Sequence, residues 1–126
     1  MTATDKKNMR GKHILLVDDD YEFRVTLKEA LQAAGFVVTD VADATTARKL
    51  LWKSKYSAVV SDIRMPKVNG IEFLHQVRKF NSVPFILMSG FSEIMADSEA
   101  LEIGANGFVA KPFRAEELFN VLKNCI

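Results

Sequence analysis

The stretch ILLVDDD, residues Ile14–Asp20, joins four apolar residues directly to three consecutive acids. Two further runs along the chain, Ala58–Val60 and Phe85–Met88, are also entirely apolar. Short runs of this kind are typical of strands that are buried on both faces of a sheet. The sequence therefore predicts that these three runs are central strands of one sheet.

Segments with helical spacing of apolar residues separate the predicted strands. Two more strands, Phe36–Val41 and Gly107–Ala110, are more polar or shorter, as expected at the edges of a sheet. The predicted helices cover Asp20–Ala34, the residues after Asp43, the residues around Phe73, Ser92–Ile103 and the residues around Leu118. Strands that alternate with helices imply a parallel sheet with helices on both faces. The predicted fold class is α/β, a single-domain (βα)5 flavodoxin-like three-layer sandwich with sheet order 2-1-3-4-5.

Length and composition limit the domain organisation. The chain has 126 residues, of which 48% are hydrophobic and 26% charged, as expected for one globular domain. Residues 1–12 are polar and lysine-rich, and we expect a flexible lead-in there, followed by one domain over residues 13–126. The single cysteine, Cys125, excludes an internal disulfide and a cysteine metal cluster.

Charge and hydropathy also exclude several classes of partner. The net charge is only +1, which argues against direct binding of nucleic acid by this domain. The N-terminus lacks the apolar core of a secretory signal, and no apolar run approaches the roughly 20 residues of a membrane span. We therefore expect a cytoplasmic protein that does not bind membranes.

Polar side chains follow the predicted strands at the point where each strand ends. Asp18 and Asp19 follow the first, Asp62 the third, Ser89 the fourth and Lys111 the fifth. In open parallel sheets, ligands bind outside the carboxyl ends of the strands. Each residue alone has an ordinary explanation as a helix cap, turn or surface residue, but their joint placement predicts one shallow polar pocket.

The charges in this pocket indicate a metal ion and phosphoryl chemistry. Two carboxylates about 4 Å apart repel by roughly 4 kcal/mol at an effective dielectric of about 20. Lys111 supplies one positive charge, and a hard divalent cation, Mg²⁺ or alternatively Mn²⁺, suits a site with oxygen ligands only. A carboxylate can act as a phosphoryl nucleophile, and cations neutralise the charge on the transferring group.

Four motifs, ILLVDDD, VVSDIRMP, FILMSG and GFVAKPF, carry a family resemblance. In this order they resemble the receiver domains of two-component response regulators, the CheY-like family. The resemblance extends from His13 to the C-terminus. It implies a phosphoacceptor that receives a phosphoryl group at Asp62 from the phosphohistidine of a sensor histidine kinase or phosphotransfer protein. It also implies a signalling domain that assists only its own phosphorylation and dephosphorylation and is otherwise not an enzyme.

The same resemblance implies a role for each motif residue. It implies that Mg²⁺ has four protein ligands: Asp18, Asp19, Asp62 and the backbone carbonyl of Arg64. Ser89 would bond a phosphoryl oxygen, and Lys111 would pair with Asp62 before phosphorylation and contact the phosphate afterwards. The resemblance further implies a cis peptide bond between Lys111 and Pro112.

The output of the domain is expected at a face that includes the fifth strand. The resemblance places Phe108 at an aromatic switch position, where the ring turns inward when Ser89 moves. The face made by the fourth helix (Ser92–Ile103), the fifth strand and the fifth helix would then bind a downstream protein target or a dimer partner. Arg64 and Phe91 occupy positions that line the path of attacking water, and the hypothesis is that Phe91 slows hydrolysis of the phosphoaspartate.

Three other functions fit parts of the pattern. A phosphatase-type enzyme with an aspartate nucleophile would use the D-x-D spacing of Asp18–Asp20, although Glu22 stands where such enzymes have Thr or Val. A phosphorylation-independent pseudo-receiver would serve as an interaction module, but such modules typically lack one of the acidic, hydroxyl or lysine positions, and all of them are present here. A flavodoxin-like cofactor binder would need a hydroxyl- or glycine-rich loop where this chain has three acids. A trapped phosphoryl adduct on Asp62, or instead on Asp18, distinguishes the receiver from the phosphatase.

Overall fold

A five-stranded parallel sheet forms the centre of the protein. The computed structural model describes residues 2–90 and 102–126. The strands are β1 (His13–Val17), β2 (Val37–Val41), β3 (Ala58–Asp62), β4 (Phe85–Ser89) and β5 (Gly107–Ala110). They lie in the order β2-β1-β3-β4-β5, so the predicted order and the three predicted central strands are confirmed. The central strands are buried on both faces, which explains why they lack polar alternation.

Helices cover both faces of this sheet. The described helices are α1 (Ala3–Met9), α2 (Tyr21–Ala33), α3 (Ala44–Lys53), α4 (Gly70–Arg78) and α5 (Ala115–Cys125). Leucines of α2 and α5 pack with alternate strand residues such as Ile14 on one face. Apolar residues of α3 and α4 pack with the intervening strand residues, such as Leu15, on the other. Two separate cores result, which is the predicted three-layer arrangement.

Side-chain caps start three of the helices at the carboxyl edge of the sheet. The carboxylate of Asp20 accepts a hydrogen bond from the backbone N–H of Phe23, and Asp43 accepts one from that of Thr46. Aspartate is among the residues most favoured at the N-cap of a helix. Asn69 caps α4 in the same way, because its side-chain oxygen accepts hydrogen bonds from the backbone N–H groups of Ile71 and Glu72. The caps of α2 and α3 follow β1 and β2 within three residues, which keeps these two loops short.

The N-terminus differs from its prediction as a flexible lead-in over residues 1–12. Ala3–Met9 forms helix α1, which begins with a capping box between Thr2 and Asp5. Met9 is buried and packs in the core beneath α2 and α5. One apolar anchor in a polar segment gives no periodic signal, which is why the sequence pattern misses this helix. The division of the chain at residue 13 stays a proposal.

Some predictions concern residues that the structure does not describe. Phe91 and nearly all of the predicted helix Ser92–Ile103 lie outside the described residues. In the parts of the chain that are described, none of the helices has the length and apolar character needed to cross a membrane.

Candidate functional site

Three carboxylates meet at the carboxyl edge of the sheet. The register pairs Val17 with Ser61, so the residues that follow lie side by side, Asp18 directly after β1 and Asp62 at the end of β3. One oxygen each from Asp18, Asp19 and Asp62 lies within 4.8 Å of the other two. Asp18 is fully buried and Asp62 is 7% exposed, whereas Asp19 faces solvent. The cluster is therefore an acidic pocket with one open side.

Lys111 brings a cation into this pocket from the end of β5. Its Nζ lies 2.8 Å from Oδ2 of Asp18 and 3.3 Å from Oδ2 of Asp62. The same Nζ lies 3.9 Å from the centre of the Phe23 ring, which holds the ammonium from the side of α2. The peptide bond between Lys111 and Pro112 is cis, which confirms that prediction. One lysine thus bridges the carboxylates of two strands.

The ammonium of Lys111 does not offset the effects that disfavour ionisation of Asp62. Burial and then the neighbouring charge of Asp18 raise the pKa of Asp62 above the ordinary 3.8. Lys111 and the backbone N–H of Arg64 act in the opposite direction without cancelling the rise. The metal-ligating atoms found together here among the described residues are carboxylate oxygens only. Such a donor set fits a hard divalent cation rather than zinc.

The raised pKa predicts a pH-dependent stability in metal-free buffer. The folded protein binds a proton at Asp62 more tightly than the unfolded chain, so deprotonation lowers the free energy of unfolding. This loss develops as the pH rises from about 3.8 through the raised pKa. Asp62→Asn removes the ionisable carboxyl and with it this loss of stability. The free energy of unfolding of the variant should therefore rise relative to that of the wild type with increasing pH. Urea denaturation with a chelator measures the difference, and a difference independent of pH would contradict the assignment.

Ser89 supplies a buried hydroxyl beside the acids. It is the last residue of β4 and is 1% exposed. Its Oγ has no hydrogen-bond partner among the residues that the structure describes. Its backbone carbonyl accepts a 2.7 Å hydrogen bond from the N–H of Lys111 and thereby ties the two strand ends together. A buried hydroxyl without a partner is costly, which indicates that a ligand oxygen can use it.

Gly70 packs directly against the strand end that carries Asp62. Its N–H donates a 2.7 Å hydrogen bond to the carbonyl of Ile63. A Cβ at this position would collide with the backbone carbonyl of Asp62 and lie 2.9 Å from Cα of Ile63. The glycine therefore lets α4 begin at the floor of the pocket.

Gly70→Ala should destabilise the protein by about 1–3 kcal/mol, the usual cost of forced overpacking. Alanine normally stabilises a helix relative to glycine, so the sign of the change tests the collision. Gly11→Ala is the matched control because a Cβ there meets open space and only its φ of 80° is strained, which costs about 1 kcal/mol. Urea denaturation compares the two variants, and an unchanged or more stable Gly70→Ala protein would contradict the packing argument.

A second ion-pair network supports the pocket and was not predicted from the sequence. Arg24 Nη1 donates a 2.7 Å hydrogen bond to the backbone carbonyl of Asp18, and its Nε lies 2.8 Å from Asp40. Lys28 also lies 2.8 Å from Asp40. Burial alone would raise the pKa of Asp40, but the two cations outweigh it and lower that pKa. An acid inside strand β2 is the signal that could have revealed this network.

The structure describes the positions of Phe108 and Arg64 but does not test their predicted roles. Phe108 lies in β5, half-buried against the core beneath α3 and α4. The backbone N–H of Arg64 bonds the Asp62 carboxylate, whereas its carbonyl as a metal ligand stays a prediction. Phe91 lies outside the described residues, so its proposed effect on hydrolysis of the phosphoaspartate stays a prediction. The switch role of Phe108 likewise stays a prediction.

Comparison of the sequence with known proteins identifies relatives. The response regulator receiver domain family matches residues 14–123. The transcriptional regulatory protein FixJ of Bradyrhizobium diazoefficiens is 36% identical over 115 residues, covering 90% of this chain and 56% of the relative. A probable transcriptional regulator, ycf27 of Cyanidium caldarium, is 30% identical over 94% of this chain and 47% of its own length. The chain thus spans about half the length of these curated relatives.

Solved structures agree with this comparison. Full-length FixJ from B. japonicum superposes with a TM-score of 0.83 at 33% identity, over 92% of this chain and 58% of that one. The receiver domain of a sensor histidine kinase from Pseudomonas aeruginosa, solved with a magnesium ion in its active site cleft, has a TM-score of 0.82 at 30% identity. It covers 91% of this chain and 97% of that one. With its sheet order, its acidic pocket and a family match over residues 14–123, this chain belongs to the response regulator receiver domains, signalling domains of two-component systems.

Proposed function

We propose that residues 13–126 form a phosphorylatable receiver whose phosphoacceptor is Asp62. The observation that supports this most is the set of groups around one carboxylate. Asp62 has the ammonium of Lys111 at 3.3 Å and the carboxylates of Asp18 and Asp19 beside it. The next strand ends in the buried hydroxyl of Ser89, which lacks a partner among the described residues. A nucleophile, a cation and an unused hydroxyl are the parts that phosphoryl transfer needs.

In the proposed reaction, an oxygen of deprotonated Asp62 attacks the phosphorus of a phosphohistidine. The bond between phosphorus and the imidazole nitrogen breaks, and the leaving imidazole takes up a proton. An acyl phosphate on Asp62 is the product. Lys111 already lies between Asp18 and Asp62, so its ammonium can contact a phosphoryl oxygen with a small movement. Little covalent chemistry is required of the protein beyond positioning and charge stabilisation.

The metal ligands in this proposal are Asp18, Asp19, Asp62 and the backbone carbonyl of Arg64. A bound Mg²⁺, or Mn²⁺ in its place, would neutralise negative charge on the phosphoryl oxygens and between the carboxylates. The clustered oxygens support the assignment, because three carboxylates beside one ammonium leave negative charge that a divalent cation can neutralise. The charge of Asp18, which adds to burial in raising the pKa of Asp62, is part of that excess. The magnesium ion named for the P. aeruginosa receiver domain adds support by similarity.

We infer that phosphorylation of Asp62 changes the positions of Ser89 and Phe108, and that these changes alter the face that binds a partner. The Ser89 hydroxyl would bond a phosphoryl oxygen, and Phe108, which pairs with Leu87 on the adjacent strand, would turn further inward. The shift would be read by a downstream protein or a dimer partner at the face of β5, α5 and the helix predicted at Ser92–Ile103. A shift between existing conformations is sufficient for such a readout.

The partners follow from the same proposal. The donor is a sensor histidine kinase or phosphotransfer protein, and the domain catalyses no reaction other than its own phosphorylation and dephosphorylation. Relatives of greater length are transcriptional regulators, so DNA binding would belong to a different domain of such proteins. A cytoplasmic location is part of the proposal.

Incubation of the protein with acetyl phosphate and Mg²⁺, followed by intact mass measurement, tests the proposed function. We expect one added phosphoryl group, lost when the metal is chelated before the incubation. Reduction of the acyl phosphate with borohydride and peptide mapping should mark Asp62. A mark on Asp18 would favour the phosphatase-type enzyme, and an unmodified protein would favour a pseudo-receiver.

A further inference from the structure

A groove opens between α3 and α4, away from the acidic pocket. Its volume is about 660 Å³, and two aromatic side chains, Trp52 and Phe80, line it. The two rings meet edge to face with their centroids 5.1 Å apart. Trp52 is 74% exposed, the most of any large hydrophobic side chain in the described parts of the chain. An aromatic pair exposed at a groove is typical of a site that binds a partner.

The walls of the groove are positively charged. Four exposed cations lie along it: Arg48, Lys49, Lys53 and Lys79. None of the four forms an ion pair with any residue in 2–90 or 102–126, and none of the described lining residues is acidic. The helix dipole favours Lys53 in the last turn of α3, but it does not explain an exposed tryptophan among the cations.

The groove lies at the opposite end of the molecule from Asp62. In this fold the helices run antiparallel to the strands, so α3 and α4 begin at the carboxyl edge of the sheet and end at the other edge. Trp52 and Phe80 stand at or just beyond the ends of these helices. The acids of the two helices, Asp43 and Glu72, are at their starts. Charge is therefore separated along the helix pair, and ligand binding in the groove does not require the acidic pocket.

We propose that this groove is a docking surface for an acidic peptide segment of a partner protein, with an apolar side chain inserted against Trp52. The cations match acidic flanks, and the aromatic pair matches an apolar anchor. Duplex nucleic acid would use the cations but leave the aromatic walls of a concave groove unfilled, because its bases are already stacked and paired. A second copy of the chain related by twofold symmetry would bring the same cations together and is disfavoured. This docking goes beyond the phosphorylation proposed above and does not depend on it.

The test uses a short synthetic peptide in which pairs of glutamates flank a leucine and a phenylalanine. Trp52 is the only tryptophan of the chain, so its fluorescence reports binding at the groove directly. We expect saturable binding that weakens with added salt, because exposed charges are screened over about 8 Å at physiological ionic strength. Calorimetry measures the variants. Trp52→Ala should weaken binding roughly 30-fold, the effect of a typical aromatic hot spot, and Lys53→Glu roughly 10-fold.

Matched variants elsewhere on the surface control for nonspecific effects. Tyr21→Ala removes another exposed aromatic ring, and Lys7→Glu reverses another exposed cation, and neither should alter the affinity. A peptide with lysines in place of the glutamates should not bind. Equal losses in control and groove variants would overturn the proposal, as would an unaltered affinity in Trp52→Ala. Tighter binding of duplex DNA or of phosphatidylserine vesicles than of the acidic peptide would also overturn it.

Discussion

Asp62→Asn should abolish the incorporation of a phosphoryl group from acetyl phosphate, while the protein stays folded. Asparagine keeps the shape of the side chain but has no oxygen anion for attack on phosphorus. The fold should tolerate the change, because burial and Asp18 already disfavour the charged form of Asp62 in the folded protein. Intact mass after incubation with Mg²⁺ measures the phosphoryl group, and circular dichroism checks the fold.

Asp20→Asn is the matched control for this experiment. It removes one negative charge from the same DDD motif, but Asp20 acts as the N-cap of α2. Asparagine is as good an N-cap as aspartate, so the helix should be preserved. The control should incorporate the phosphoryl group as the wild type does. Modification of the Asp62→Asn protein would show that another acid, with Asp18 as the first candidate, is the nucleophile.

Lys111→Met should slow phosphorylation by about 10²–10³-fold, the usual effect of removing one preorganised donor from a transition state. Methionine has a similar length and apolar stem, so packing against Phe23 can be kept while the charge is lost. The same change removes the cation that lies 2.8 Å from the fully buried carboxylate of Asp18. Loss of one partner of a buried pair should lower the free energy of unfolding by about 3 kcal/mol in metal-free buffer. Single-turnover labelling and urea denaturation measure the two effects.

Lys123→Met is the control for that substitution. Lys123 lies 3.3 Å from Asp5, but its side chain is 48% exposed, so water screens the pair. We expect unfolding free energy within about 0.5 kcal/mol of the wild type and an unchanged labelling rate. Mg²⁺ should restore part of the stability that Lys111→Met loses, because it supplies positive charge to the same carboxylates. If the two lysine variants behaved alike, Lys111 would have no special role in the pocket.

The fold could be predicted to the extent that local patterns repeat. The runs at Ile14–Val17 and Phe85–Met88 are apolar because both of their faces are covered, and this property is visible without any tertiary information. Helix α1 has no such pattern, since Met9 is its one buried apolar residue. The start of α4 at Asn69 and Gly70 is not visible in the sequence, because the same two residue types serve turns and helix starts equally well.

Some residues of the candidate site could likewise be predicted from the sequence, and others could not. Its acids and Lys111 each follow a predicted strand, so fold topology alone brings them to one edge. Arg24 gave no signal, because an arginine on a helix face is usually solvated and its partner Asp40 comes from a different strand. The exposed Trp52 could not be recognised either, because it lies eight residues after the buried Ala44, a spacing that also suits the apolar stripe of a helix.

The sequence alone determined the α/β class, the order of the elements, the three central strands and the set of polar residues at the strand ends. Each of these depends on periods of a few residues or on position along one strand. Only the tertiary structure decided which oxygens lie within 4.8 Å, that Lys111 bridges Asp18 and Asp62, and that the Ser89 hydroxyl has no partner among the described residues. These contacts are between residues that are far apart in the chain. The distances between their atoms depend on how strands and helices pack in three dimensions.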